Sequence, residues 1–212
     1  QGFNMSALVR GPNNNPVQNC DLDVRDAATD EKLYTPGDNT NSSGFVNVIV
    51  PAGTYNVDFF APVNLHLAPK RVGPVNVAST TNLGVITLQN GFVLSGHVQD
   101  SQGQPVGNVA IIGKDPASGS SLPIGNNHTN ASGDYAATVE GRTYNFYFIP
   151  PITHALGAAA APNVTITGDR TLNATLPPAF TPFCFGDGSL ATNCPCSNFG
   201  TTGRGCANSQ NV

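Results

Sequence analysis

The sequence predicts an all-β protein: two tandem antiparallel, Greek-key-like β-sandwiches followed by a small disulfide-stapled tail. Three observations predict it. Glycine and proline supply 23 and 17 of the 212 residues, and proline's missing N–H and glycine's backbone entropy both oppose long helices. Apolar and polar residues alternate with period two in short runs bounded by Asn, Gly and Pro, as antiparallel strands and tight turns require. The chain also repeats itself at an offset of 89 positions, so that Gly2-Phe3 falls on Gly91-Phe92, Thr40-Asn41 on Thr129-Asn130, and Thr54-Tyr55-Asn56 on Thr143-Tyr144-Asn145. Residues 1–90 and 91–178 are therefore read as two copies of one unit, and 179–212 as the tail.

Within the first copy the expected strands are SALVR, CDLDV, FVNVIV, TYNVDFF, PVNVA and GVITL, giving six or seven per sandwich. Tyr55, Val57 and Phe59 alternate with Asn56 and Asp58, and the second copy repeats this with Tyr144, Phe146 and Phe148 against Asn145 and Tyr147. After Pro62 the two copies are expected to slip by a small offset, setting VNVAS against NVTIT and GVITL against NATL. Turns such as NNNP, TNSSG, DSQGQP and TNASG supply backbone geometries that other residues resist.

The second copy reads SGHVQDSQGQPVGNVAI, then TNASGDY, then RTYNF; the first reads NNNPVQNCDL, TNSSGF and GTYNV. These motifs resemble the carboxypeptidase regulatory-like, or transthyretin-like, β-sandwich. The resemblance covers residues 1 to about 178 and implies a seven-stranded unit, of a kind that serves as spacer, adhesin stalk or enzyme appendage. Asn41 and Asn130 stand where the family often has Asp. The tail, FCFGDG followed by CPCSNFGTTGRGCANS, is similar to cysteine-rich C-terminal segments of secreted environmental bacterial proteins, a likeness that carries no activity.

Cys184, Cys194, Cys196 and Cys206 lie close together in that tail, which has too little apolar material to build a core. Two disulfides are the expected staples, with a zinc site as the competing reading, although the spacing is not that of paired CxxC knuckles. Cys20 aligns with Val109 at a core-facing position. Two readings of it stand: a buried thiol acting as a small hydrophobe, or a disulfide partner for a tail cysteine within the chain or from a neighbour. The first residue, Gln1, and the disulfide-bearing tail together lead us to expect a mature secreted chain, extracellular or at the cell surface. No run approaches the roughly 20 apolar residues of a membrane-spanning helix. Six Asn-x-Ser/Thr sequons, at Asn4, Asn41, Asn127, Asn130, Asn163 and Asn173, are candidate glycosylation sites. Turn chemistry already accounts for Asn41 and Asn130.

Catalytic signatures are sparse. His66, His97, His128 and His154 are scattered and lie in no metal or nucleophile motif, and GxSxG, HExxH and phosphate-binding loops do not occur. Asp21, Asp23 and Asp26 alternate along an expected strand and are read as its solvated face; a calcium site there or near Asp187 is the sharper alternative. Lys32, Lys70 and Lys114 lie outside the expected first strand, so the Lys–Asn amide cross-link that some related sandwiches form is not expected. With a net charge of -4 and nine dispersed Lys and Arg, nucleic acid is a poor partner. No enzyme activity or cofactor is expected.

Ala179-Phe180 resembles the opening of a third repeat that the tail replaces, and only 10% of residues are charged, leaving few charges to guard sheet edges. The leading expectation is a secreted structural protein that assembles head to tail, as a homo-oligomer or polymer, by adding a strand to a neighbour's sheet. The alternative is a carbohydrate-binding or adhesion module, an appendage of a larger enzyme included, with Tyr34, Tyr147 and Phe199 as sugar platforms.

Overall fold

The alternating runs form strands in the order the repeat demands. In the computed structural model, which describes residues 2–179, the first copy contains β1 (Gly2–Arg10), β2 (Asp21–Asp26), β3 (Phe45–Pro51), β4 (Gly53–Phe60), β5 (Lys70–Val77) and β6 (Thr81–Thr87). The second contains β7 (Phe92–Asp100), β8 (Ala110–Lys114), β9 (Ser121–Leu122), β10 (Asp134–Val139), β11 (Thr143–Ile149), β12 (Ala159–Thr165), β13 (Arg170–Thr171) and β14 (Ala174–Leu176). The first copy packs a β3-β1-β6 sheet against a β2-β4-β5 sheet. The second repeats this with β10-β7-β13, where β14 extends the pairing with β7, and with β12-β11-β8-β9.

Each copy closes its own core. Met5, Ala7 and Val9 of β1 and Val46, Val48 and Val50 of β3 point at Leu22, Val24, Val57 and Phe59 from the facing sheet. Leu94, Val98, Ala137 and Val139 meet Ile111, Phe146, Phe148 and Val164 in the second. Burying one of these phenylalanines contributes about 1.5–3 kcal/mol.

The TN-x-SG turns, whose first residues are Thr40 and Thr129, are built identically. The buried Thr40 hydroxyl accepts from the Cys20 N–H at 2.8 Å and donates to the Val17 carbonyl at 2.6 Å. Thr129 accepts from the Val109 N–H at 2.9 Å and donates to the Val106 carbonyl at 2.8 Å. Asn41 Oδ1 then accepts the Ser43 and Phe45 N–H groups, as Asn130 Oδ1 accepts those of Ser132 and Asp134. Gly44 and Gly133 follow at φ of 76° and 77°, where a side chain would also strike the Val9 or Val98 carbonyl.

Two expectations change. Pairing is not antiparallel throughout, because β6 runs parallel to β1, and β13 and β14 run parallel to β7. β6 and β13 arrive from the opposite sheet and β14 follows β13 along the same neighbour, so no hairpin forces them to reverse. The offset of 89 also persists further than expected: Val75 pairs with Tyr55 as Val164 pairs with Tyr144. The slip falls later, at Gly84, an extra residue that bulges β6 between its pairings with Ser6 and Leu8.

Candidate functional site

The acidic strand is not a solvated face. Asp23 is buried on β2 directly opposite Asp58 of β4, which is 1% exposed and lies in turn opposite Arg71 of β5. Two facing carboxylates repel unless cations separate them. Arg71 grips Asp58 with two bonds of 2.7 Å and reaches Asp30 at 3.1 Å. Arg25 lies 2.9 Å from Asp23 and 3.3 Å from Asp58, and Lys32 pairs with Asp23. The hydrogen bonds to Asp58 raise the Arg71 pKa. Half-buried Asp21 has its pKa raised, first by desolvation and then by the Asp23 charge. Asp26 serves the backbone instead: its carboxylate accepts the Thr29 and Ala28 N–H groups, which lower its pKa.

This network forms one wall of a cleft of about 800 Å³ between the sandwiches, whose other wall includes Ile112, Leu122 and Pro123. Three carboxylates, Asp23, Asp30 and Asp58, meet three cations there, Arg25, Lys32 and Arg71. Among the described residues no cluster of three or more His, Cys, Asp or Glu is placed to hold a metal. His97 pairs with Asp134 at 2.8 Å and His66 lies 4.0 Å from Asp169, neither beside a nucleophile.

The remaining candidates are dispersed. Among the described residues Cys20 has no disulfide partner; its thiol is fully buried, is pushed up to about 12 by desolvation and the Asp21 charge, and occupies the place Val109 takes in the second copy. Cys184, Cys194, Cys196, Cys206, Asp187 and Phe199 lie outside the described residues. Of the sequons, Asn4 and Asn163 are exposed, while Asn41 and Asn130 hold their turns. Asn127 donates to the Ile111 carbonyl at 3.3 Å, and Asn173 accepts the His97 N–H at 2.9 Å. Tyr34 is 91% exposed, but Tyr147 is half-buried with Lys114 5.8 Å above its ring, leaving that face occupied.

The sheet edges distinguish themselves more sharply. β5 carries Lys70, Arg71 and Pro74 with a register break, β12 carries Pro162 with another, and β6 bulges at Gly84. The edge of β10 is covered by its own chain, because Thr138 and Gly125 exchange both backbone hydrogen bonds and Asn126 Nδ2 donates to the Ala136 carbonyl. β3 has none of these devices. It is seven residues long, uncharged and unbulged, and its outer face aligns Phe45 with Leu8 and Leu8 with Val85. Ile49, the counterpart of Thr138, is 68% exposed. Sequence reading found the shortage of charge but missed this edge, because only pairing shows which strand has no second neighbour among the described residues.

No family model and no curated protein matches the sequence. Among solved structures, shaft pilin SpaA from Lactobacillus rhamnosus GG matches over 86% of this chain and 100% of its own, at 9% identity and a TM-score of 0.35. A streptococcal ancillary pilin matches over 84% and 62%, at 12% identity and 0.32. The Bacillus anthracis TIE protein matches at 14% identity and 0.33, over 84% of this chain, which spans only 34% of that protein's length. At scores this low the likeness assigns neither family nor role. No helix among the described residues is long and apolar enough to cross a membrane.

Proposed function

We propose that this chain is a secreted, non-catalytic structural protein that self-associates into an extracellular fibre or surface layer by strand addition. The open, uncharged edge of β3 carries the reading, since exposed flat edges are what sheet proteins suppress when they must stay monomeric. The occupied charges of the interdomain cleft support it from the other side, because the polar side chains there are spent on holding the fold. In this reading residues 1–90 and 91–178 are two modules. Residues 179–212 are the head-to-tail connector, with Cys184, Cys194, Cys196 and Cys206 paired as disulfides. A heterologous contact of that kind need not close and so propagates. Electron microscopy of the unreduced full chain should show filaments or sheets, and deletion of residues 179–212 should abolish them. Identical assemblies from the shortened chain would sink the connector.

A further inference from the structure

The edge of β3 offers a countable set of unmet groups. Along a strand, backbone groups point alternately to either side, and in β3 the even-numbered residues face β1: the Val9 N–H, for example, bonds the Gly44 carbonyl. Phe45, Asn47, Ile49 and Pro51 therefore face outward. The first and last are already satisfied. Phe45 exchanges its outward groups with Asn41, through the Asn41 N–H and Asn41 Oδ1, while Pro51 has no N–H and its carbonyl accepts the Tyr55 hydroxyl at 3.1 Å. Between them stand the N–H and C=O of Asn47 and of Ile49, two donors and two acceptors with no backbone partner among the described residues.

The second sandwich shows what this geometry accepts. At the equivalent window, Gly125 takes both groups of Thr138, and the Asn126 amide takes the carbonyl of Ala136. In the first sandwich the residue at the Gly125 position is Pro36, which has no N–H to give the Ile49 carbonyl, and the neighbouring Thr35 hydroxyl donates to Asp38 instead.

We propose that β3 pairs antiparallel with β3 of a second copy across a two-fold axis, setting Asn47 of each chain opposite Ile49 of the other. The inference rests on the self-association reading and adds a contact to it. Two donors and two acceptors related by a two-fold satisfy one another completely, giving four hydrogen bonds. Pro51 and the occupied Phe45 stop the ladder on either side and so fix its register. A strand that meets its own copy brings every charge against its like, and Phe45–Pro51 contains none. The contact is isologous and closes on itself, so it ties two copies together and uses this edge; head-to-tail growth through the connector then requires a different surface.

Directly opposed residues in such a pair lie about 5.5 Å apart at Cα, within disulfide reach. Full-length chains carrying Asn47→Cys and Ile49→Cys should therefore form a 47–49 disulfide when mixed and oxidised, located by peptide mass mapping. Neither variant alone should link to itself at that position. Ile49→Pro removes the outward N–H without touching the bonds to β1, and should weaken the dimer at least about tenfold by sedimentation. At dilutions where both are monomeric its thermal unfolding should match the parent; should it not, Ile49→Lys at the same exposed position makes the test. A mixture that yields no 47–49 link, or edge variants that dimerise as the parent does, would overturn the pairing. Filaments without the link would overturn this contact and leave the assembly reading standing. The link without filaments would do the reverse.

Discussion

The two sandwiches share one backbone plan and solve two local problems differently. On the outer face of the second sheet, the cross-strand row Asp23–Asp58–Arg71 of the first copy is occupied in the second by Ile112–Tyr147–Ala160. At the edge of the first sheet, no described residue pairs with the outer side of β3 at Asn47 and Ile49, whereas β10 is covered. The core thus fixes only the inward half of each strand. The outward half is free to hold ions, to pack or to stay available, and that is where the copies have diverged.

Removing one ion should break the comparison most severely. Asp58→Ala removes the carboxylate that Arg71 and Arg25 share and should destabilise the protein by about 1.5–3 kcal/mol, the worth of hydrogen bonds to a charged group, because Arg71 keeps Asp30 and Arg25 keeps Asp23. Transplanting the second copy's row, as Asp23→Ile, Asp58→Tyr and Arg71→Ala together, should restore most of that loss, because well-packed apolar residues often replace a buried ion network without penalty. Denaturant unfolding of both variants checks this. If the triple variant is as unstable as Asp58→Ala, the row is not interchangeable.

The edge comparison can be reversed rather than broken. A Cβ on Gly125 would come within 2.5 Å of Thr138 Oγ1. Gly125→Val should therefore push the covering segment off β10, cost about 1–2 kcal/mol through two lost hydrogen bonds, and expose a second open edge. Analytical ultracentrifugation should then show larger oligomers than the parent gives. An unchanged size distribution would mean that an uncovered edge is not sufficient for association.

How much of this was legible in the sequence follows the same division. The inward half was: the 89-residue offset, the alternation of Tyr55, Val57 and Phe59, and the Thr40 and Asn41 turn all carry local signatures. Asp23 was misread because alternation says which face a residue is on, not what covers that face. Asp23 is paired by Arg25 and Lys32, Arg71 joins the same face from β5 through Asp58, and the second sandwich closes over the cleft. The parallel course of β6 was hidden for a related reason, since a strand's direction relative to its neighbour depends on which neighbour it finds. Tyr147 drew attention as an aromatic platform, and only the structure shows Lys114 above its ring.

Asp21 sharpens the contrast with the smallest effect. Ala110 stands at its position in the second copy, so this titration belongs to the first sandwich alone. Desolvation and the Asp23 charge raise its pKa above 3.8 in the native state, so the native protein holds that proton more tightly than the unfolded chain does. Stability contributed through Asp21 is therefore present at low pH and lost as pH rises through the raised value. Asp26 and Asp115 act in the opposite sense. Backbone N–H groups lower both pKa values, so their contribution is present above 3.8 and lost as pH falls through the depressed values. Because both copies carry such a turn, that acid loss is common to them. Asp21→Asn should stabilise the protein at pH 7 by under about 1 kcal/mol given its half exposure, raising the melting temperature slightly, and should leave it unchanged near pH 2, where the parent carboxyl is also neutral. Melting curves of the two proteins across that range should converge towards acid. A gap that persists at the acid end, or a destabilised variant at neutral pH, would show that Asp21 is held by its contacts and not strained by its charge.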